Sequence, residues 1–237
     1  DGGTFAGNVG FSGDITVDTS TLHVDSTNNR VGVGTASPDR ILHISGGASA
    51  DSGMIRSEYN STGYYREFGR NNSSGFFEIR RAQGGSATTD LSIDLSGNVT
   101  LPVQSAFQAH SAQQNNISNG DKVFATERFD RGGDYNATTG VFTAPVTGLY
   151  LLTMHIRLEQ VDTGAAYYQA AIDTSNKLYV FTFDPNFSAD VDYLSVTQAV
   201  VADMDANDTA TIRVDQAGGA TQTDIHTESY FSGFLLG

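Results

Sequence analysis

The chain has 237 residues, no Cys, no Trp, 26 Gly against 4 Pro, and 13 Lys and Arg against 27 Asp and Glu, a formal net charge of -14. With 38% hydrophobic and 17% charged residues it can bury a core, which excludes a disordered acidic tail, and its length holds one large domain or two small ones. The absence of Cys excludes a disulfide framework and thiolate metal sites; the scarcity of Lys and Arg argues against nucleic acid as a partner; and no run of about 18 apolar residues is present to insert into a membrane. The first residue is Asp1 and not Met, as expected of a piece of a longer protein.

Composition changes near Val103. Residues 1–103 hold 16 of the 26 Gly with 7 basic and 11 acidic residues, whereas 104–237 hold 10 Gly with 6 basic and 16 acidic residues, so two structural units are expected with the acidity mostly in the second. Helical periodicity is almost absent. Short alternating runs such as Thr21-Leu22-His23-Val24-Asp25, Leu91-Ser92-Ile93-Asp94 and Thr209-Ala210-Thr211-Ile212-Arg213-Val214 are bounded by Gly, Asn, Asp or Ser, which predicts a nearly all-β chain.

The first part contains a weak repeat. Leu22-His23-Val24-Asp25, a turn, then Arg30-Val31-Gly32-Val33 parallels Leu91-Ser92-Ile93-Asp94, a turn, then Val99-Thr100-Leu101. An Asx side chain can cap such a turn, but one hairpin is marginal alone, and another copy of the chain is the simplest source of partners. Residues 51–90 read as a small β insertion on this shaft, a module of a few further strands separated by turns at Ser61-Thr62-Gly63, at 71–75 and at Gly84-Gly85. Their aromatics, Tyr59, Tyr64, Tyr65, Phe68, Phe76 and Phe77, are expected to form a small core rather than a sugar site, because small β modules need large side chains to bury enough area.

The segment from Thr21 through Arg30-Val31-Gly32-Val33-Gly34-Thr35 to Pro38, followed by Leu42-His43-Ile44, resembles the linking motif of phage tail-fibre and related virion fibre proteins, a motif also met in bacterial surface proteins. The resemblance implies an interwoven trimeric β shaft, with Gly32 and Gly34 placed where a neighbouring backbone comes close; the plainer reading is a Gly-weakened edge strand.

From Ala106 the pattern is more specific. Tyr135 before a Thr-Gly turn, Phe142-Thr143-Ala144-Pro145, Gly148-Leu149-Tyr150 and the closing Tyr230-Phe231-Ser232-Gly233-Phe234 resemble the head domain of the complement C1q and tumour-necrosis-factor-like superfamily, with Leu151 where that family often has a second aromatic. The resemblance implies a jelly-roll sandwich in a homotrimer, with Tyr135, Phe142, Tyr150, Phe231 and Phe234 in the core or at the trimer axis. Residues 149–156 are apolar on both faces for part of their length, which by itself calls for cover on both sides.

Counting strands backward from the C-terminus places loops 158–166, 184–192 and 216–226 at the apex and loops 173–176 and 203–208 at the base. The receptor-binding candidates are therefore Asp162, Tyr168, Asp184, Phe187, Asp190, Tyr193 and Asp224. Tyr167 and Tyr168 point to opposite faces of one strand, so at least one of them is expected to be buried. Asp184, Asp190 and Asp192 are the candidate Ca2+ ligands, weighed against solvated loop acids because no D-x-D-x-D-G spacing is present; no cofactor is required. The five His are scattered, no G-x-S-x-G occurs, and no catalytic set is identified.

The expectation is the distal part of a homotrimeric virion fibre, most naturally a phage tail fibre, binding a bacterial surface glycan or protein and joined to upstream virion proteins. The alternatives are a structural or capsid-decorating fibre and, more remotely, a polysaccharide-degrading tailspike, for which Asp190 and Asp192 on one side of a strand would be the carboxylate pair.

Overall fold

The computed structural model describes residues 10–18, 21–46, 53–59, 63–71 and 73–237. Every described secondary-structure element is a strand, and the chain divides into two units, Asp1–Pro102 and Val103–Gly237.

The first unit contains two sheets. In one, β1 (Ile15–Val17), β2 (Leu22–Asp25) and β3 (Arg30–Val33) run antiparallel, and β4 (Leu42–Ile44) adds parallel to β3. The β2–β3 turn forms because Asp25 organises it: Oδ1 accepts from the backbone N–H groups of Thr27 (3.0 Å) and Asn28 (2.9 Å), Oδ2 accepts from Asn28 Nδ2 (2.8 Å), and Asn29 takes the left-handed φ of 54°. The glycines of the fibre-like motif do admit a close backbone, and that backbone belongs to the same chain. A Cβ on Gly32 would lie 2.3 Å from the carbonyl oxygen of Thr35, and one on Gly34 would lie 2.0 Å from that of Ser45. Gly34, with φ 76°, ends the strand instead of continuing the alternation.

The other sheet is a meander of β5 (Gly53–Tyr59), β6 (Tyr64–Arg70), β7 (Phe77–Gln83), β8 (Ser86–Ile93) and β9 (Val99–Thr100). Gly84 and Gly85, both at positive φ, close the two-residue β7–β8 turn. The β8–β9 turn repeats the device of the first sheet: Asp94 Oδ1 accepts from the N–H groups of Ser96 (2.8 Å) and Asn98 (2.9 Å), and Oδ2 from Asn98 Nδ2 (2.8 Å). The weak sequence repeat is thus one turn chemistry used twice. The sheet runs past residue 90 to Thr100, so the second copy of the repeat is part of it and the insertion is not a separate module. Of the expected turns, Ser61, Thr62 and Asn72 lie outside the described residues, as does the side chain of Tyr59.

The aromatic core expected in this segment is not formed. Tyr64, Phe68 and Phe77 are 45%, 49% and 41% exposed, while Glu67 and Glu78 on the reverse face are buried. Alternation along the strands puts every second residue on one face, and here the apolar set occupies the open face.

The second unit is a sandwich. One sheet has the order β12 (Thr126–Asp130), β10 (Ala106–His110), β21 (Tyr230–Leu235), β15 (Gly148–Val161), β18 (Val191–Met204), with β20 (Asp224–Ile225) also on β15. The other has the order β13 (Tyr135–Asn136), β14 (Val141–Thr143), β19 (Thr209–Ala217), β16 (Tyr167–Thr174), β17 (Leu178–Phe183), with β11 (Gly120–Lys122) on β19. Alternation along β15 sends Tyr150, Leu152, Met154, Ile156 and Leu158 into the core, fully buried. Phe107 anchors an aromatic cluster, stacked on Tyr135 and Phe142 at centroid distances of 4.9 and 4.7 Å and edge-on to Phe231 at 4.9 Å. Its ring leaves no room at Gly233, where a Cβ would sit 2.8 Å from the Phe107 ring edge. Buried Tyr135 keeps its hydroxyl satisfied by donating to the Phe124 carbonyl (2.8 Å), and burial pushes that hydroxyl up to about 12.

Tyr135, Phe142, Tyr150 and Phe231 therefore lie in the core. Phe234 does not: it is 44% exposed on the outer face of the β10–β21–β15–β18 sheet, beside Leu151 and, across that strand, Val201. The outer face of β15 is apolar only at Leu149 and Leu151; Thr153, His155, Arg157 and Glu159 continue it as a polar surface.

Candidate functional site at the apex of the sandwich

Hydrogen bonds sort the loops of the second unit into two ends. At one end the chain enters and leaves: Gln104 Nε2 donates to the Leu235 carbonyl (2.5 Å) and the Leu149 N–H to that of Gly237 (2.9 Å). The same end holds loop 175–177 and loop 205–208, joined by Asn176 Nδ2 donating to Asp208 Oδ2 (2.6 Å), with Thr147 Oγ1 donating to Asp205 Oδ1 (3.3 Å). The opposite end gathers loops 162–166, 184–190 and 218–223. Asp190 Oδ1 accepts from the Thr163 N–H (2.9 Å) and hydroxyl (2.8 Å), and its Oδ2 accepts from Gln222 Nε2 (2.8 Å).

Three of the predicted receptor acids hold these loops in place. Asp162 is 7% exposed; its Oδ1 accepts from the Gly164 N–H (2.8 Å) and its Oδ2 from the Ala220 N–H. Asp224, also 7% exposed, accepts from the Asn116 N–H (2.6 Å) and from Gln160 Nε2 (3.3 Å). The bonds from Thr163 and Gln222 hold the Asp190 carboxyl below the usual carboxylate range, so it stays an acceptor. Asp184, Phe187 and Asp192 are exposed. Among the described residues no group of three or more His, Asp or Glu is placed to hold a metal ion, so one chain does not bring Asp184, Asp190 and Asp192 together as a cation site.

Of the two adjacent tyrosines, Tyr168 is the buried one. Its ring stacks on Phe183 at 5.2 Å, its hydroxyl pairs with Thr223 Oγ1 (2.7 Å), and its oxygen accepts from the Asp162 N–H (3.0 Å). It is thereby withdrawn from any receptor surface, because alternation along β16 gives it the core side. Tyr167, on the other side, is 42% exposed. Tyr193 belongs to neither group: it pairs with Glu159 on the outer face of the β15 sheet, and the Arg157 guanidinium lies 4.4 Å above its ring.

Tyr167 opens a hollow of about 340 Å³ at the apex end of the other sheet, lined with Gln169, Arg213, Asp215, Asn119 and Gln216. Arg213 Nε donates to Asp215 Oδ2 (2.7 Å), and Asn119 bonds the Gln216 backbone twice, as acceptor (2.7 Å) and donor (3.1 Å). An exposed aromatic ring beside a guanidinium, a carboxylate and amides offers an apolar platform and directed polar groups. A second hollow of about 340 Å³ lies on the far side of the Asn119–Gln216 pair, towards Gly218 and Thr221. Reading in chain order misses this group because Asn119 and Gln216 are 97 residues apart; the legible signal was Arg213 and Asp215 on one face of a strand. A larger hollow, about 630 Å³, lies by His110, Thr126, Arg128, Glu228 and Tyr230.

Among solved structures the chain is similar to the globular domain of a zebrafish complement 1qA protein, with 19% identity, 56% of this chain and 98% of that chain covered, and a TM-score of 0.43. It is also similar to murine APRIL, with 13% identity, 56% and 99% of the two chains covered, and a TM-score of 0.41. A model of the C1q domain family matches residues 106–236, more than half of the chain and nearly all of the sandwich. The chain, with its jelly-roll second unit, belongs to the C1q domain family.

Proposed function

We propose that this chain is the distal part of a homotrimeric virion fibre, a phage tail fibre, in which the C1q domain binds a bacterial surface receptor, a glycan. The observation that carries the reading is the separation of the two ends of the sandwich. Both chain ends of the domain lie at one end, and the exposed aromatics Tyr167 and Phe187, with the polar hollow beside Tyr167, lie towards the other. A fibre presents to its target the end away from its attachment, and neutral sugars are recognised by aromatic platforms flanked by planar polar groups.

The homotrimer is supported by the outer face of the β10–β21–β15–β18 sheet, where Leu149 (46%), Phe234 (44%) and Val201 (53%) leave an apolar patch near the base. The first unit supports a fibre by its sequence resemblance and its paired Asx turns, and upstream virion proteins are its implied attachment. A cap that closes the fibre without binding is the second reading, favoured by the internal use of Asp162, Asp190 and Asp224.

The test is binding of the full chain to host cells, competed by purified surface polysaccharide, with light scattering at micromolar concentration for the mass. Saturable, competed binding by a trimer is expected. Trimeric mass without cell binding would leave the cap reading, and a monomer would overturn the assembly.

A further inference from the structure

The β5–β9 sheet carries its large apolar residues on an open face. Ile55, Phe68, Ile79 and Leu91 lie side by side across four consecutive strands, and Phe77 pairs with Ile93 on the same face. Ile55, Tyr64, Phe68, Phe77 and Ile79 are between 40% and 49% exposed, although β6 and β7 are interior strands of the sheet.

The reverse face holds the buried charges. Glu67, 2% exposed, accepts from Arg56 (3.0 Å) and faces Arg80 (3.2 Å), Asn71 Nδ2 donates to Glu78 (3.0 Å), and the Arg56 guanidinium lies 3.8 Å above the Tyr65 ring. An antiparallel sheet with one solvated face puts its polar side chains there and covers the apolar side. This sheet has the opposite arrangement: its buried carboxylates Glu67 and Glu78 are paired within the chain, and the face that needs cover is the apolar one.

We propose that this face is an interface between copies of this chain, distinct from the apolar patch on the C1q domain; it rests on the homotrimer reading above. The area selects the occupant. Taking about 150–250 Å² for an aromatic side chain, the exposed parts of these residues offer roughly 450 Å² of apolar surface. A standard interface buries about 800 Å² per partner, of which about 56–65% is apolar, and the two figures agree. A second copy also needs no further component, and the stems of Arg66 and Arg70, which alternate with Tyr64 and Phe68 on β6, extend the apolar surface to its rim.

The chain has no Cys, so one introduced thiol reports on this face alone. In the full chain, Phe68→Cys is expected to give a covalent dimer with a short bismaleimide at micromolar protein, at least tenfold more than Glu58→Cys, whose exposed position lies on the reverse face. As a second measurement, Phe68→Arg should speed amide exchange in β7 at least tenfold and leave the C1q domain unchanged. A trimeric mass with Phe68→Cys cross-linking no better than Glu58→Cys, or with β7 exchange unaltered in Phe68→Arg, overturns this interface and leaves the trimer standing. A monomeric mass overturns both. Slowed β7 exchange on anionic vesicles without any cross-link assigns the face to a lipid surface and likewise overturns the proposal.

Discussion

The two units use the same alternation to opposite ends. In β15 of the C1q domain every second side chain from Tyr150 to Leu158 is fully buried beneath a second sheet. In β6 and β7 of the first unit the apolar alternates Phe68 and Ile79 stay open while Glu67 and Glu78 are enclosed. The first arrangement makes a domain whose core closes within one chain. The second makes a sheet whose ion pairs are complete and whose hydrophobic face is not, so its stability depends on what covers it.

The contrast is broken most strongly at Phe107. Phe107→Ala removes the ring on which Tyr135, Phe142 and Phe231 all pack, and should destabilise the C1q domain by about 3–5 kcal/mol in denaturant unfolding, with no change in the first unit. Gly34→Ala is the counterpart in the first unit: the residue must hold φ 76° and its Cβ would collide with the Ser45 carbonyl. A cost of about 1–3 kcal/mol is expected, read as faster amide exchange in β3 and β4.

Within the apex, Tyr168→Phe should cost about 1 kcal/mol because it removes a hydroxyl bonded to Thr223 and the Asp162 N–H. Tyr167→Ala should change stability by less than about 0.5 kcal/mol yet weaken polysaccharide binding severalfold, measured by titration of the trimer. The reverse ranking would remove the hollow beside Tyr167 from the receptor surface.

The smallest effect is that of acid on the two Asx turns. The amide of Asn28 holds the Asp25 carboxyl below the usual range, and Asn98 does the same for Asp94. A carboxyl lowered in the folded state contributes stability that is fully present above its unfolded value of about 3.9 and lost as pH falls through the lowered folded value. The backbone amides of Asn28 and Asn98 should therefore shift together in an acid NMR titration, and Asp25→Asn should abolish the shift at Asn28 only.

Much of the fold was legible in the residues. The period of two with Gly, Asn and Asp breaks specified strands and turns, since those residues supply positive φ and local caps wherever they stand. The family's Tyr-Thr-Gly, Phe-x-x-Pro and Gly-x-Tyr pattern located the C1q domain within residues 104–237, where the family model matches 106–236. Strand parity even placed the loops at the correct ends, because each antiparallel reversal changes direction by geometry alone.

Parity also required one of Tyr167 and Tyr168 to be buried, but which one depended on the side of β16 that meets the other sheet. The role of the apex acids was hidden for a similar reason: Asp162, Asp190 and Asp224 look like free carboxylates in sequence, and the backbone amides that occupy two of them come from Ala220 and Asn116, far along the chain. In the β5–β9 sheet the period of two determined that Tyr64 and Phe68 would share one face and Tyr65 and Glu67 the other. Only the tertiary structure decided that Glu67 would be enclosed, because Arg56 and Arg80, whose charges offset the cost of burying it, reach it only once three strands are in register.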